Sequence, residues 1–270
     1  MEETTLWQDD MKAGIIQTRL HLGDTDKNLQ GAVKLVRECI HEESPDLLVL
    51  PEVFSTGFPY DDLPILSEKS EEIIRTISDL SRDGSVEIIF TQVVNEDLKF
   101  FNRLYHIGSD GKVKNTYDKT HLFSRSGEDR FFTPGSSLKI LDINNARAGP
   151  LICYEVRFPE LSRRLVRAGA GILIYPAQWP AFRTFQWEVL LQARAVENQC
   201  FVIGVNIYGD HGGSMMGGRS RIFSPFGNVL ASVDEGPGWS TSILDPDKMH
   251  SLRNKIPVLD EIREDLDLME

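Results

Sequence analysis

The chain is short of cysteine, of basic residues and of long apolar runs, and each shortage removes a class of function. Three cysteines in 270 residues, Cys39, Cys153 and Cys200, are too few and too odd in number for a disulfide framework. A reducing, cytoplasmic setting is therefore expected. No CxxC pair and no His/Cys ligand spacing suggests structural zinc, and no metal or organic cofactor is expected. Lysine and arginine number 29 against 41 acidic residues, a formal net charge of −12. That deficit argues against nucleic acid or an anionic membrane as partner, because both are drawn to a basic face. A small acidic substrate stays compatible, since a local cationic pocket can outweigh the net field. No apolar stretch is long enough to span a bilayer. The start, Met1-Glu2-Glu3-Thr4-Thr5, lacks the basic residues and apolar core of a signal peptide. Low-complexity linkers and short repeats are missing too.

What is present is ordinary for a soluble globular protein: 41% hydrophobic and 26% charged residues. Residues 1–10 read as a polar extension and residues 11–270 as a single domain. Lys12 to Thr18 reads as a first strand. Leu29, Ala32, Val33, Val36 and Ile40 recur at a helical period, with Asp24 or Thr25 as cap. Asp46 to Leu50 is a buried strand stopped by Pro51, and Glu68 to Leu80 is helical. Val86 to Val94 is a strand, and Ser109-Asp110-Gly111 joins a hairpin of Leu104–Ile107 with Val113–Tyr117.

The alternation then repeats. Leu138–Leu141 and Ala148–Cys153 read as strands, and Phe158–Ala168 as a helix. A strand at Ile172–Tyr175 precedes a helix over Phe185–Glu197, with Trp187, Leu190, Leu191 and Ala195 facing inward. Further strands fall at Phe201–Val205, Arg221–Ser224, Val229–Val233 and Ser240–Leu244, before a short helix, Pro246–Arg253. Strand and helix alternating throughout predict one α/β domain.

Three strand ends carry a reactive side chain. Glu52 follows a buried strand among apolar neighbours, a setting that raises a carboxyl pKa and suits a general base. Taken singly, it is also an ordinary turn residue. Lys119 follows the strand ending at Tyr117; an ammonium held there can stabilise a developing oxyanion, although a lone lysine is usually a surface residue. Cys153 ends the apolar run Pro150-Leu151-Ile152 just before an amphipathic segment. Backbone N–H groups at a helix start favour a thiolate and can hold an oxyanion. Cys39 and Cys200 fit inert core positions. Strand ends are where open α/β sheets gather their sites.

The segments PEVF (Pro51–Phe54), YDKTHLF (Tyr117–Phe123) and LICYEVRFPE (Leu151–Glu160) strongly resemble the nitrilase superfamily of carbon–nitrogen hydrolases, over about Lys12 to Asp267. The resemblance implies a four-layer αββα sandwich, commonly paired as a homodimer or a higher homo-oligomer. It implies Glu52 as general base, Lys119 as holder of the tetrahedral intermediate and Cys153 as nucleophile, with the backbone N–H of Tyr154 at the oxyanion. A second family glutamate matches Glu128, in a positioning role, with Asp129 as the alternative. YPAQWP (Tyr175–Pro180), Trp187-Glu188, QARAVENQ (Gln192–Gln199), GGRS (Gly217–Ser220) and IPVLDEIR (Ile256–Arg263) look like the omega-amidase branch, which acts on 2-oxoglutaramate and similar dicarboxylate monoamides. Gln178, where Asn is common, and Ile207, where Arg or Cys is more usual, depart from the branch pattern.

The expected partner is thus a small-molecule amide. Phe58 and Trp179 are candidate apolar walls, and Tyr60 a hydrogen-bond donor. Arg157 can bind a distal carboxylate, or form a salt bridge with Glu160 or Glu197 under the cysteine turn; Arg183 is an equal candidate. Arg194, Glu197 and Asn198 are read as structural. Three other readings stay open: another superfamily amidase, carbamoyl hydrolase or nitrilase; a Cys–His enzyme with His121 or His211 as base; and a binding module with a dead site. The G-x-C-x-G elbow of class I amidotransferases is absent.

Overall fold

A computed structural model describes residues 7–263 and residue 265. The first half runs β1 (Met11–Gln17), α1 (Thr25–Glu43), β2 (Leu47–Val49), α2 (Leu63–Ser67), α3 (Ser70–Gly84), β3 (Glu87–Glu96), β4 (Lys99–Ile107), β5 (Val113–Asp118) and the single turn α4 (Glu128–Phe131). The second runs β6 (Leu141–Ile143), β7 (Ala146–Pro150), α5 (Pro159–Arg167), β8 (Ile172–Ala177), α6 (Thr184–Asn198) and β9 (Phe201–Asn206). The hairpin β10 (Tyr208–His211) and β11 (Ser214–Gly217) follows, then β12 (Ser220–Phe223), β13 (Val229–Val233), β14 (Gly238–Leu244) and α7 (Pro246–Lys255).

Two six-stranded sheets result, ordered β14-β1-β2-β3-β4-β5 and β13-β12-β9-β8-β7-β6. In the first, β1, β2 and β3 are parallel. In the second, β7, β8 and β9 are parallel. Antiparallel strands flank both trios. Strand side chains alternate between faces. Thus Ile15, Leu47, Val49 and Ile89 meet Ile172, Ile174 and Phe201 in the central core. Their neighbours Ile16, Leu48, Ile88 and Phe90 face outward onto Val36 and Cys39 of α1 and Ile73 and Ile77 of α3. Trp187, Leu191 and Ala195 of α6 close the far side. This is the predicted αββα sandwich. Each fully buried side chain of this size stabilises the fold by about 1.5–3 kcal/mol.

Local signals explain most boundaries. Asp24 caps α1 by accepting from the Lys27 amide at 3.1 Å, and Pro159 opens α5. The strand expected over Ala148–Cys153 ends at Pro150, because Ile152 pairs with its own turn and Cys153 turns into the left-handed region at φ 47°. The strand expected over Leu138–Leu141 lies instead at Leu141–Ile143, set by the turn Asn144-Asn145, both at positive φ. The hairpin β10–β11 has no counterpart in the sequence reading. Of the expected polar extension, residues 1–6 lie outside the described residues, and Trp7 is a correction. Its indole is buried edge-on against Phe201, 5.8 Å between centroids, and its carbonyl bonds His250 of α7. A single aromatic in a polar run has no periodic partner to reveal it. Among the described residues no helix is long and apolar enough to cross a membrane.

Candidate active site

The C-terminal ends of β2, β5, β7 and β8 converge. The first sheet delivers Glu52 and Lys119; the second delivers Cys153 and Gln178. Each turn is held by specific bonds. Past β2, Val53 takes φ 41°, an uncommon conformation for a β-branched residue. Its N–H donates to Thr91 Oγ1 (2.6 Å), and its carbonyl accepts from Gly57 N (2.9 Å) and Gln178 Nε2 (3.3 Å). Past β5, Lys119 N donates to the Asn102 carbonyl (3.0 Å). Past β7, the left-handed Cys153 starts a 3-10 turn to Arg157.

Glu155 ties the cysteine turn to the lysine strand. It is fully buried, and Oε2 accepts from Ile152 N (2.6 Å). Oε1 accepts from the Tyr117 hydroxyl (2.7 Å), Thr120 Oγ1 (2.6 Å) and Thr120 N (2.9 Å). Burial alone would raise its pKa. The hydrogen bonds from His121, Thr120, Ile152 and Tyr117 outweigh burial and hold it below the usual carboxylate value.

The centre is a buried charge cluster. Lys119 Nζ donates to Glu52 Oε1 (2.8 Å) and to Glu128 Oε1 and Oε2 (2.8 and 2.9 Å). Asn102 Nδ2 donates to Glu52 Oε1 (2.7 Å), the Gln178 N–H to Glu52 Oε2 (3.0 Å) and the Phe123 N–H to Glu128 Oε2 (2.7 Å). The Cys153 thiol donates to the Gln178 carbonyl at 3.7 Å. Glu128 is buried at the start of α4 while Asp129 is exposed, so Glu128 is the carboxylate of the cluster.

Burial raises the Glu52 pKa despite the pull of Lys119. Burial raises the Cys153 pKa well above the usual thiol value, and the nearby Glu52 charge adds to it. Burial works against the Lys119 charge, but Glu128, Glu52 and Cys153 together carry its pKa well above the ordinary lysine value. The resting cluster therefore pairs a thiol with a carboxylate of unusual basicity, beside an ammonium that stays charged.

These groups line a cavity of about 350 Å³. Phe58, Tyr60, Tyr154, Arg157, Trp179 and Arg183 all border it. Tyr60 stacks on Phe131 (4.7 Å) and shares a hydrogen bond with Ser126 (3.2 Å). The Tyr154 ring packs on Phe123 and Phe158. The Arg157 guanidinium lies over the Trp179 ring (4.8 Å) and donates to Gln186 (3.4 Å). Glu197 pairs instead with Arg194 (2.8 Å), whose guanidinium also caps the Val156 carbonyl at the end of the cysteine turn. Arg183 lies over the exposed Phe182, and its carbonyl accepts from Trp179 Nε1. His121 does not border the cavity: it bonds Thr120 Oγ1 (2.9 Å) and packs on Phe158.

Comparison with known proteins identifies the family and the fold. The family model described as "Carbon-nitrogen hydrolase" matches residues 12–254. The chain belongs to the carbon-nitrogen hydrolase family. It is 32% identical to the 2-oxoglutaramate amidase of Bacillus subtilis (strain 168), over 93% of this chain and 97% of that one. It is 33% identical to the omega-amidase YafV of Escherichia coli (strain K12), over 70% of this chain and 73% of the other. The crystal structure of Saccharomyces cerevisiae Nit3, a member of the nitrilase superfamily, superposes with a TM-score of 0.88 at 26% identity, covering 97% of this chain and 98% of Nit3.

Several residues of this carbon-nitrogen hydrolase's site escaped the sequence reading. Arg125 joins Arg157 and Arg183 on the cavity. Asn102 and Glu155 were not singled out, because a polar residue inside a strand and a glutamate near a helix start both read as solvated positions. Ser214 and Met216 reach the cavity on the hairpin β10–β11, which shows no alternation of apolar residues; His211, named above only as an alternative base, reaches it on the same hairpin.

Proposed function

We propose that this hydrolase releases ammonia from small dicarboxylate monoamides such as 2-oxoglutaramate, through a thioester on Cys153. The observation that carries the reading is the meeting of Glu52, Lys119, Glu128 and Cys153 at one cavity. Glu52 takes the thiol proton and sulfur attacks the amide carbon. The oxyanion forms beside the Lys119 ammonium and the Tyr154 N–H. Glu128 holds Lys119 in place. Protonated Glu52 returns its proton to the departing nitrogen. A water then gives a proton to Glu52, attacks the thioester and releases the acid, which restores the thiol. Each half-reaction resets the base.

Two further features support an acidic substrate. Arg125, Arg157 and Arg183 border the cavity, so a chain of net charge −12 presents a local positive face there. Relatives named 2-oxoglutaramate amidase and omega-amidase span most of the chain. Phe58 and Trp179 supply apolar wall and Tyr60 a hydroxyl donor. The test is ammonia release from 2-oxoglutaramate, succinamate, N-carbamoyl amino acids and simple nitriles. We expect the first two to lead by kcat/KM. Arg157→Met keeps a flexible apolar side chain against Trp179 but removes the charge. It should raise KM for 2-oxoglutaramate by about tenfold or more relative to a neutral amide, the loss of one charge-assisted bond. Preference for a nitrile or carbamoyl compound would redirect the assignment.

The same reading includes a homodimer in a reducing compartment. Cys39, Cys153 and Cys200 are all unpaired. On α6, Phe185, Val189 and Val196 are exposed at helical spacing, and Phe226 and Val229 extend the patch. Gln192 bonds the Gly227 carbonyl (2.8 Å), which sets that turn beside the helix. Val189→Glu should convert a dimeric wild type into monomers in sedimentation velocity. A wild type that sediments as a monomer would sink this part of the reading.

A further inference from the structure

The hairpin β10–β11 is the part of the cavity wall to which the mechanism above gives no task. It is firmly seated at its base: Tyr208 N donates to the Thr18 carbonyl (2.9 Å), Leu20 N to the Tyr208 carbonyl (2.9 Å) and Gly217 N to the Trp179 carbonyl (3.0 Å). Its two-residue loop, Gly212-Gly213, has φ of 57° and 88°, which glycine takes without strain. His211 stands next to that loop. Its ring is parallel to Phe58, with centroids 6.1 Å apart, and its Nδ1 lies 3.0 Å from Gln178 Oε1.

The direction of that bond follows from the other end of the amide. Gln178 Nε2 donates to the Glu52 carbonyl (2.8 Å) and the Val53 carbonyl (3.3 Å), so Oε1 is the atom turned to His211. An amide oxygen only accepts, so Nδ1 of His211 carries the hydrogen. Burial lowers the His211 pKa, against the opposing pull of a hydrogen bond to the Phe58 backbone, which favours the neutral ring.

Gln178 is thereby fastened at every polar atom. Its backbone N–H holds the Glu52 carboxylate, and its backbone carbonyl accepts from the Cys153 thiol. Its side-chain nitrogen braces the turn in which Val53 sits at φ 41°. Its side-chain oxygen depends on His211.

We propose that His211 is a positioning residue for the general base: by donating to Gln178 it locks the amide that holds Glu52 in line with Cys153. This rests on the reading of Glu52 as base. Without the donor, Gln178 Oε1 is left unpaired in a nearly buried site, and the amide gains by rotating away from the Glu52 and Val53 carbonyls. The strained turn then relaxes and the carboxylate loses alignment. A base misplaced by a fraction of an ångström loses rate, not substrate affinity.

The test compares His211→Phe, which keeps a ring against Phe58 but cannot donate, with His211→Asn, whose amide nitrogen can stand where Nδ1 does. Two readouts are taken: kcat and KM on the amide turned over fastest, and the pH-dependent rate of Cys153 alkylation by iodoacetamide, located by mass spectrometry. The second needs no assumption about the natural substrate. His211→Phe should lower kcat about tenfold with KM within about threefold, and slow alkylation by a similar factor with a shifted acid-side midpoint. His211→Asn should recover both to within about threefold of wild type. A wild-type kcat and alkylation profile in His211→Phe overturns the proposal, as does a His211→Asn variant no better than His211→Phe. Glu52→Gln, run alongside, separates the premises. Unchanged alkylation there defeats the general-base reading itself, whereas slowed alkylation there with normal His211→Phe defeats only the role of the hairpin.

Discussion

Replacing Cys153 with alanine should stop turnover while leaving the fold in place. Removal of a nucleophile that works as one unit with its base costs about 10⁴–10⁶ in kcat. The side chain contributes little else. Its polar contacts are a long S–H···O contact of 3.7 Å to the Gln178 carbonyl and an interaction with Glu52, and the left-handed backbone at position 153 is no worse for alanine than for cysteine. The unfolding temperature should therefore stay within a few degrees of wild type, about 1 kcal/mol or less. Intact-mass spectrometry should find an acyl adduct on the wild type during turnover and none on the variant. Turnover by Cys153→Ala at the wild-type rate would refute the thioester route.

The second large effect combines activity with stability. Lys119→Met keeps the length of the side chain but leaves the Glu52 and Glu128 carboxylates buried together without a cation. Loss of one partner of a buried ion pair typically costs about 3–5 kcal/mol, a large part of the 5–15 kcal/mol that holds a domain together. Hydrolysis should fall below detection, since the developing oxyanion loses its charge partner. The stability loss has a pH signature with a definite sign. Burial already raises the Glu52 pKa in the native protein, and Lys119 is the main force holding it down. Without Lys119 the folded-state value rises further above the unfolded value of about 4.3. A group whose folded pKa is raised adds stability below its unfolded pKa and loses it as pH climbs through the folded pKa. The deficit of Lys119→Met relative to wild type should be small near pH 4–5 and grow toward pH 8. A deficit that is flat across this range would mean that the carboxylates are not held together by the lysine.

The catalytic candidates were legible because each stands where a strand stops. Glu52 and Cys153 follow the buried parallel strands β2 and β7, and Lys119 follows the edge strand β5, whose exposed residues give a weaker signal. Phe58, Tyr60 and Arg157 sit close in sequence to those ends, and Trp179 and Arg183 follow the end of β8, so strand-end turns carry all five to the cavity. Polar residues that act through burial were not legible. Glu155 looks like an ordinary charged residue after a cysteine until its carboxylate is seen to accept from Ile152, Tyr117 and Thr120. The hairpin of His211 was missed for a different reason. Tyr208 to Gly217 carries four glycines and few strand-forming residues, and its pairing is set by seating on Thr18 and Trp179, far away in sequence. Trp7 likewise reveals its place only when Phe201 and α7 are assembled around it.

The proposed base and the nucleophile come from different sheets: Glu52 follows β2 in one, Cys153 follows β7 in the other. Neither layer holds a working half of the chemistry. The enzyme is thus a gauge of its own assembly, silent until the two layers have docked in register. A slip between them too slight to expose the core would still idle it.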